Sequence, residues 1–422
     1  MDWATLEQQA LEVLQAYVRI PSVNPPADTS QTAFFLAELL RREGLEPRLF
    51  PSGPNGQTNL LVRVPGEDPH KRPLLLLNHM DVVPADEKAW EKPPFGAIVE
   101  DGFLWGRGAL DMKGLAIQQL MALVALRRGG RKPHRDVLFL STADEESGGK
   151  YGIRWMLEHH FSDLEPEYAL DEGGFGTRDL FQSQSLVFAV QVADKQPLWV
   201  RLRAQGPPGH GSIPIDQAAP ATLVRALAKI LPWEEQPSPP PVVKAMIQTV
   251  GAALVDSPFT RAIQRNTLSL TSLQAGVGSP PKINVIPSWA EATLDCRLLP
   301  GTHPSDFLHK LEQAIGDPDI FLEVVSDAPD PTPPSSWETP LFEAIRRVVG
   351  RHYPGATVTP FLSSGFTDAR YLRQRNVVAY GFMPMVLDNQ TAYSAHSDWE
   401  RIPVDEFCKG IHVFFDLLQE PF

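Results

Sequence analysis

Acids and histidines recur along this 422-residue chain at positions where they could act together: His79 with Asp81, Asp111, Glu145 with Glu146, Asp171 with Glu172, and His396. His79 and Asp81 directly follow the apolar run Leu74–Leu77, Glu145 and Glu146 follow Val137–Ser141, and Asp171 and Glu172 follow Tyr168–Leu170. Asp111 stands just before a helix that the pattern starts at Lys113. In an open α/β sheet the carboxyl ends of the strands form the edge where ligands bind. Carboxylates gathered there repel one another and resist ionising together. A pair of divalent metal ions removes that difficulty, because it favours the ionised ligands. Each element taken singly has a plainer account. A His-x-Asp pair is common by chance, Asp144–Glu146 reads as a solvated loop, Asp171–Gly174 as a turn and His396 as a helix cap. Their joint order at strand ends is what points to metal chemistry.

The elements that must position these residues alternate in the first part of the chain. An amphipathic N-terminal helix is followed by a second, Gln31–Glu43, with apolar residues at helical spacing and Gly44 as its stop. Short apolar runs at Asn59–Val64, Pro73–Leu77, Val137–Ser141 and Tyr168–Leu170 read as strands, and Lys113–Arg128 as a helix between the second and third. Continuous apolar strands separated by helices predict an α/β fold with a mostly parallel central sheet flanked by helices.

Near residue 195 the texture changes. Leu198, Val200 and Leu202 alternate with polar residues, as in a half-exposed strand. A helix (Asp216–Leu231), a proline-rich stretch, strands at Thr267–Leu273 and Glu291–Leu298, a helix at Pro304–Ile315 and a strand at Ile320–Val325 follow. This β-α-β-β-α-β order predicts an inserted ferredoxin-like α+β domain over 195–325. The flanking segments 1–194 and 326–422 then form one discontinuous domain, with Asp327–Ser336 as the return linker. Helix Pro340–Gly350, strand Val377–Phe382 and helix Val404–Leu418 complete it.

Composition narrows the function classes. Hydrophobic residues at 43% and charged residues at 21% are globular values. A net charge of −13 argues against a nucleic-acid partner. The acidic N-terminus reads as a helix rather than a signal peptide, and runs such as Leu74–Leu77 are too short to cross a bilayer. A cytoplasmic protein with no membrane partner is expected. Cys296 and Cys408 read as reduced core residues, without zinc or disulfide spacing. The 41 prolines, many in loop-like runs such as Gln236–Val242, are about twice the usual share and could stiffen loops.

The segments NHMDVVP (Asn78–Pro84), GRGALDMKG (Gly106–Gly114), TADEESGG (Thr142–Gly149), ALDEGG (Ala169–Gly174), GHGS (Gly209–Ser212), NVIP (Asn284–Pro287) and SAHSD (Ser394–Asp398) resemble those of a known family. It is the dinuclear zinc aminoacylases and carboxypeptidases, among them acetylornithine deacetylase, succinyl-diaminopimelate desuccinylase, glutamate carboxypeptidase and carboxypeptidase S. The matches run nearly the full length of the chain in the family's order. The resemblance implies that Asp111 bridges two zinc ions, that His79 and Glu172 complete one site, and that Glu146 and His396 complete the other. The same ligand types admit cobalt or manganese. It implies that Asp81 accepts a hydrogen bond from His79 and that Glu145 is the general base for a zinc-bridging water. His210, otherwise a loop histidine between glycines, becomes an oxyanion partner, supplied in relatives by the other subunit of a homodimer formed through the inserted domain.

The implied substrate is an N-acyl amino acid or short peptide with a free carboxylate beside the scissile amide. Arg297 in DCRLLPG, a strand-edge salt bridge on a plainer view, matches the carboxylate-binding arginine, and Asn284 its polar companion. Ser363–Asp368 resembles the family's glycine-rich turn, whose backbone N–H groups, Gly365 included, and Thr367 hydroxyl face that carboxylate. Phe366 stands where a small residue is usual. The ALDEGG segment leans toward the aminoacylase and carboxypeptidase S side. A non-catalytic metal-binding protein with the same fold is the alternative, but Glu145 and every ligand are retained. A serine hydrolase lacks its Gly-x-Ser-x-Gly elbow.

Overall fold

Leu74–Leu77 can form a strand only if both of its faces are covered, and all four leucines are completely buried. A computed structural model, describing residues 1–251, 253–325 and 331–422, shows how. The strand Leu74–His79 lies between Val137–Thr142 and Tyr168–Asp171, parallel to both, and Val378–Gly381 extends the parallel set. These four are the centre of a nine-stranded sheet. Antiparallel pairings lie on either side of them: Arg48–Pro51 and Thr58–Val64 at one end, and Val187–Asp194, which carries the parallel Thr357–Ser363, at the other. Thr357–Ser363 and Val187–Asp194 were not anticipated from the sequence.

The period of a strand divides the apolar residues between two cores. Leu74, Leu76, Val137 and Phe139 face one side, with the helices Trp3–Val18, Gly114–Arg128 and Val404–Leu417. Leu75, Leu77, Leu138 and Leu140 face the other, with Ile153–His159 and Ala369–Arg373. Gly114–Arg128 is buried from Gly114 through Leu126, as expected of a helix apolar all round. Ala109–Arg128 is apolar and long enough to cross a membrane, yet it is almost wholly buried inside the molecule.

A second sheet orders Thr267–Ala275, Trp289–Leu298, Gln196–Gln205 and Ile320–Val324, antiparallel throughout. The helices Ala219–Ile230 and Pro304–Ile315 close one face over Leu198, Val200, Leu202 and Leu294. One part of 195–325 departs from the expectation of a separate unit. The run Gln236–Val242 read as loop is irregular through Pro240, but its last two residues open the helix Pro241–Val250, with proline at the first turn, where a missing N–H costs nothing. Its Val242, Val243 and Met246 pack into the first core. Residues 327–330 of the expected linker lie outside the described residues.

Candidate metal centre

The three central strand ends and the turn before the buried helix converge. The Asp111 carboxylate spans two imidazoles: Oδ1 is 3.2 Å from His79 Nε2, and Oδ2 is 3.0 Å from His396 Nε2. Each imidazole faces a second acid, His79 Nε2 at 3.7 Å from Glu172 Oε1 and His396 Nε2 at 3.3 Å from Glu146 Oε2. Glu145 turns the other way from its neighbour, so that donor atoms of His79, Glu145 and Glu172 lie within 4.8 Å of one another. The same limit holds for His79, Asp111 and Glu146. Asp144, at φ +67°, bends the backbone just before the two glutamates. Gly174, at φ +68°, turns the chain after Glu172, and a Cβ there would meet the Ala189 carbonyl oxygen at 2.4 Å.

The electrostatics of this cluster are those of too many acids in too little water. Burial first, and then the Glu172 charge, pushes the Glu145 carboxyl well up. Burial and then Asp111 do the same to Glu172 and, less strongly, to Glu146. Asp111 alone is driven below the usual range, because hydrogen bonds from His396 and His79 outweigh its burial. His396 is raised to about 10 by Asp111 first and Glu146 second. His79 is raised despite its burial, by the Glu172 charge and the Asp111 hydrogen bond. Acids so placed ionise together only where positive charge shares the site. Glu146 Oε1 is buried with no hydrogen-bond partner. That orphaned oxygen and the N/O donor set fit divalent metal ions, which satisfy such atoms without protons.

The support around the cluster departs from expectation at Asp81. His79 Nδ1 faces the backbone carbonyl of Asp81 at 2.9 Å, while the Asp81 carboxylate is 3.7 Å away. That carboxylate accepts instead from the backbone N–H groups of Glu145 (3.1 Å) and Glu146 (3.2 Å), and from Asn24 Nδ2 (2.8 Å). Asp81 therefore fixes the loop that carries both glutamates, and its main chain orients the imidazole. Sequence reasoning missed Glu400, which is wholly buried. It accepts from the backbone N–H of Leu110 and Asp111 at 2.9 and 3.1 Å, and from Arg107 at 2.6 Å. Arg107 also donates to the His396 carbonyl at 3.3 Å, and His396 itself sits at φ +63°. Asn24 and Asp368, the latter accepting from Thr142 Oγ1 at 3.2 Å, were likewise given no role. No spacing links Asn24, Arg107 and Glu400 in the chain; only the fold brings them to the ligands.

The residues assigned to substrate are not gathered with the metal side. His210 is exposed on a two-stranded ladder, where it pairs with Val285, and Asn284 is exposed in the turn just before that ladder's second strand. The His210 Nδ1 contacts Ser212 Oγ at 2.7 Å and accepts from Ser212 N at 3.2 Å, so its bonds stay within its own turn. Arg297 pairs side-on with Asp295 of its own strand, at 2.8 and 2.9 Å, the contact of the strand-edge reading. It also stacks 5.6 Å from the centre of the Phe366 ring. The Gly365 N–H does not face outward but donates to Ser363 Oγ at 3.2 Å, and Thr367 is buried with its side chain beside the Asp171 carboxyl.

Comparison with known proteins agrees with this geometry. Residues 75–420 match the family described as peptidase family M20/M25/M40. Human aminoacylase-1 is 29% identical over 418 residues, covering 98% of this chain and 95% of its own length. The crystal structure of human carnosine dipeptidase 1 superposes with a TM-score of 0.74 at 18% identity, covering 99% of this chain and 96% of that one. A Bacillus subtilis dinuclear metal binding peptidase superposes with a TM-score of 0.63 at 11% identity, covering 98% of each chain.

Proposed function

The chain belongs to the M20/M25/M40 peptidase family, and from that premise we propose that it is a dinuclear metal amidohydrolase acting on N-acyl amino acids or small peptides with a free carboxylate. The observation that carries this reading is the Asp111 carboxylate set between two imidazoles, each with a glutamate of its own, and Glu145 alongside.

In this reading His79 and Glu172 hold one cation, His396 and Glu146 the other, and Asp111 both. The donor set suits zinc, and cobalt or manganese are compatible with it. When bound, such ions polarise the substrate carbonyl and acidify the attacking water. Glu145 takes that water's proton and returns it to the departing amine nitrogen. Its burial suits the role, since a carboxyl raised toward neutrality can both accept and give a proton. Asp81 and Glu400 hold the ligand-bearing backbone in register, so that the two glutamates of one loop serve different half-sites.

His210 supplies the hydrogen bond to the developing oxyanion, and Arg297 the substrate carboxylate contact. The side-on pair with Asp295 leaves the Nη1 end of the Arg297 fork for a second carboxylate. The exposure of His210 and its closed local hydrogen bonding support delivery from a second copy of the chain, with the second sheet as the contact between copies. A non-catalytic metal-binding protein has no use for Glu145 beside the cluster, and no observation favours it.

The test is turnover of a panel of N-acetyl amino acids and dipeptides by zinc-loaded protein. Hydrolysis that chelation abolishes and zinc restores is expected. Metal-loaded protein inert toward the whole panel would sink the reading.

A further inference from the structure

Away from the metal cluster, at the seam where the Val187–Asp194 strand passes into Gln196–Gln205, the molecule gathers cations. Lys195, Arg297, Arg370 and Arg373 meet there, and among the described residues Asp194 and Asp295 are the carboxylates in contact with this group. Arg373 and the Gln191 amide take the two oxygens of Asp194, and Arg297 takes both oxygens of Asp295. The Lys195 ammonium spends its three donors on the carbonyls of Ala262 and Arg265 and on Thr267 Oγ1. Glu235, whose charge also reaches Lys195, is held by Lys310 and Asn266.

Arg370 is left over. It is 3% exposed, its Nε is buried without a partner, and among the described residues its guanidinium meets no carboxylate and no carbonyl. Two aromatic rings face it instead, Phe366 at 5.0 Å and Tyr371 at 5.6 Å. Ring faces compensate a cation only in part, and a buried guanidinium without an anion is costly. The shortage shows elsewhere at the seam, where burial, and after it the Arg297 charge, pushes Lys195 down to about 7.

Arg370 also lines a cavity of about 20 Å³ with Asp194, Lys195, Gln196 and Thr332. That volume holds one water-sized particle. It is too small for sulfate, phosphate or a carboxylate on a carbon chain. Asp194, the one carboxylate in the lining among the described residues, is already paired with Arg373.

We propose that this cavity is a binding site for a small inorganic monoanion of halide size, chloride above all, held by Arg370 at the junction of the two sheets. The inference does not rest on the metal centre, although Arg297 and Phe366 also belong to the proposed substrate site.

Thermal unfolding in halide-free buffer, with chloride or gluconate added at constant ionic strength, tests it. Wild-type protein should gain about 2–5 °C with chloride, saturably, and bromide should substitute for it. Gluconate should give no saturable rise, and Arg370→Gln should lose the chloride response. Equal melting in chloride and gluconate, or an undiminished chloride response in Arg370→Gln, would overturn the proposal. If Arg370→Gln does not fold, chloride-35 linewidths of the wild-type protein decide. Excess broadening displaced by bromide is expected, and a linewidth no greater than in a protein-free control refutes the site. A bromide-soaked crystal should show anomalous density at Arg370, and bromide bound only elsewhere would contradict the assignment.

Discussion

His79 and His210 show how differently the two sides of the proposed site are held. The His79 side chain is 1% exposed, its ring set between Asp111 and the Asp81 carbonyl, at the end of a strand buried on both faces. His210 is exposed, on a two-residue ladder, and bonds only to its own turn. In the proposed reading the metal side is complete within one chain and its donors are held by hydrogen bonds before substrate arrives, as electrostatic preorganisation requires. His210 and Arg297 are locally satisfied, and in the proposed reading they would reach the substrate by association of two copies or by movement of the inserted segment. His396, with its side chain 55% exposed, is the one ligand on the open side of the cluster.

This contrast can be broken at several points. Glu145→Gln should retain metal and lose about 10³–10⁴ in kcat; activity within tenfold of wild type would remove Glu145 from the proton transfer. His210→Ala should lose about 10²–10³ in kcat with a smaller change in KM, the mark of a group that acts on the transition state. Mixing it with Glu145→Gln should restore part of the activity if His210 acts across a dimer, and no recovery would place it in its own chain's site. Glu400→Gln should weaken metal binding by about 10–100-fold, read by competition with a chelator, because it loosens the backbone that presents Asp111. The smallest effect is expected at Arg297→Ala: about a tenfold rise in KM for carboxylate substrates and none for the matching carboxamides. An equal rise for both would leave Arg297 as a strand salt bridge with Asp295.

The sequence was most readable where pattern and burial coincide. Leu74–Leu77 and the helix ending at Arg128 had to be buried, so the strand ends followed, and the acids and histidines placed at them do converge. Pro304–Ile315 begins and ends where its proline and apolar spacing place it. The sequence was least readable where long-range contacts override local texture. Gln236–Val242 looked like loop because prolines are frequent there, yet its last two residues open the helix Pro241–Val250, since proline at a helix start is harmless and the apolar residues after it had a core to join. Sequence proximity linked Asp81 to His79 and left out its bonds to the backbone of Glu145 and Glu146, because that loop arrives from a neighbouring strand. Glu400 and Arg107 are 293 residues apart in the chain, and no periodicity connects them.

The central claim is that one chain holds two metal ions on a shared Asp111. Elemental analysis of protein loaded with zinc and then desalted tests it most directly, with His396→Ala measured beside the wild type. The account predicts two zinc ions per wild-type chain and one in the variant. A wild-type chain that retains none, or that retains one zinc regardless of His396, would contradict it.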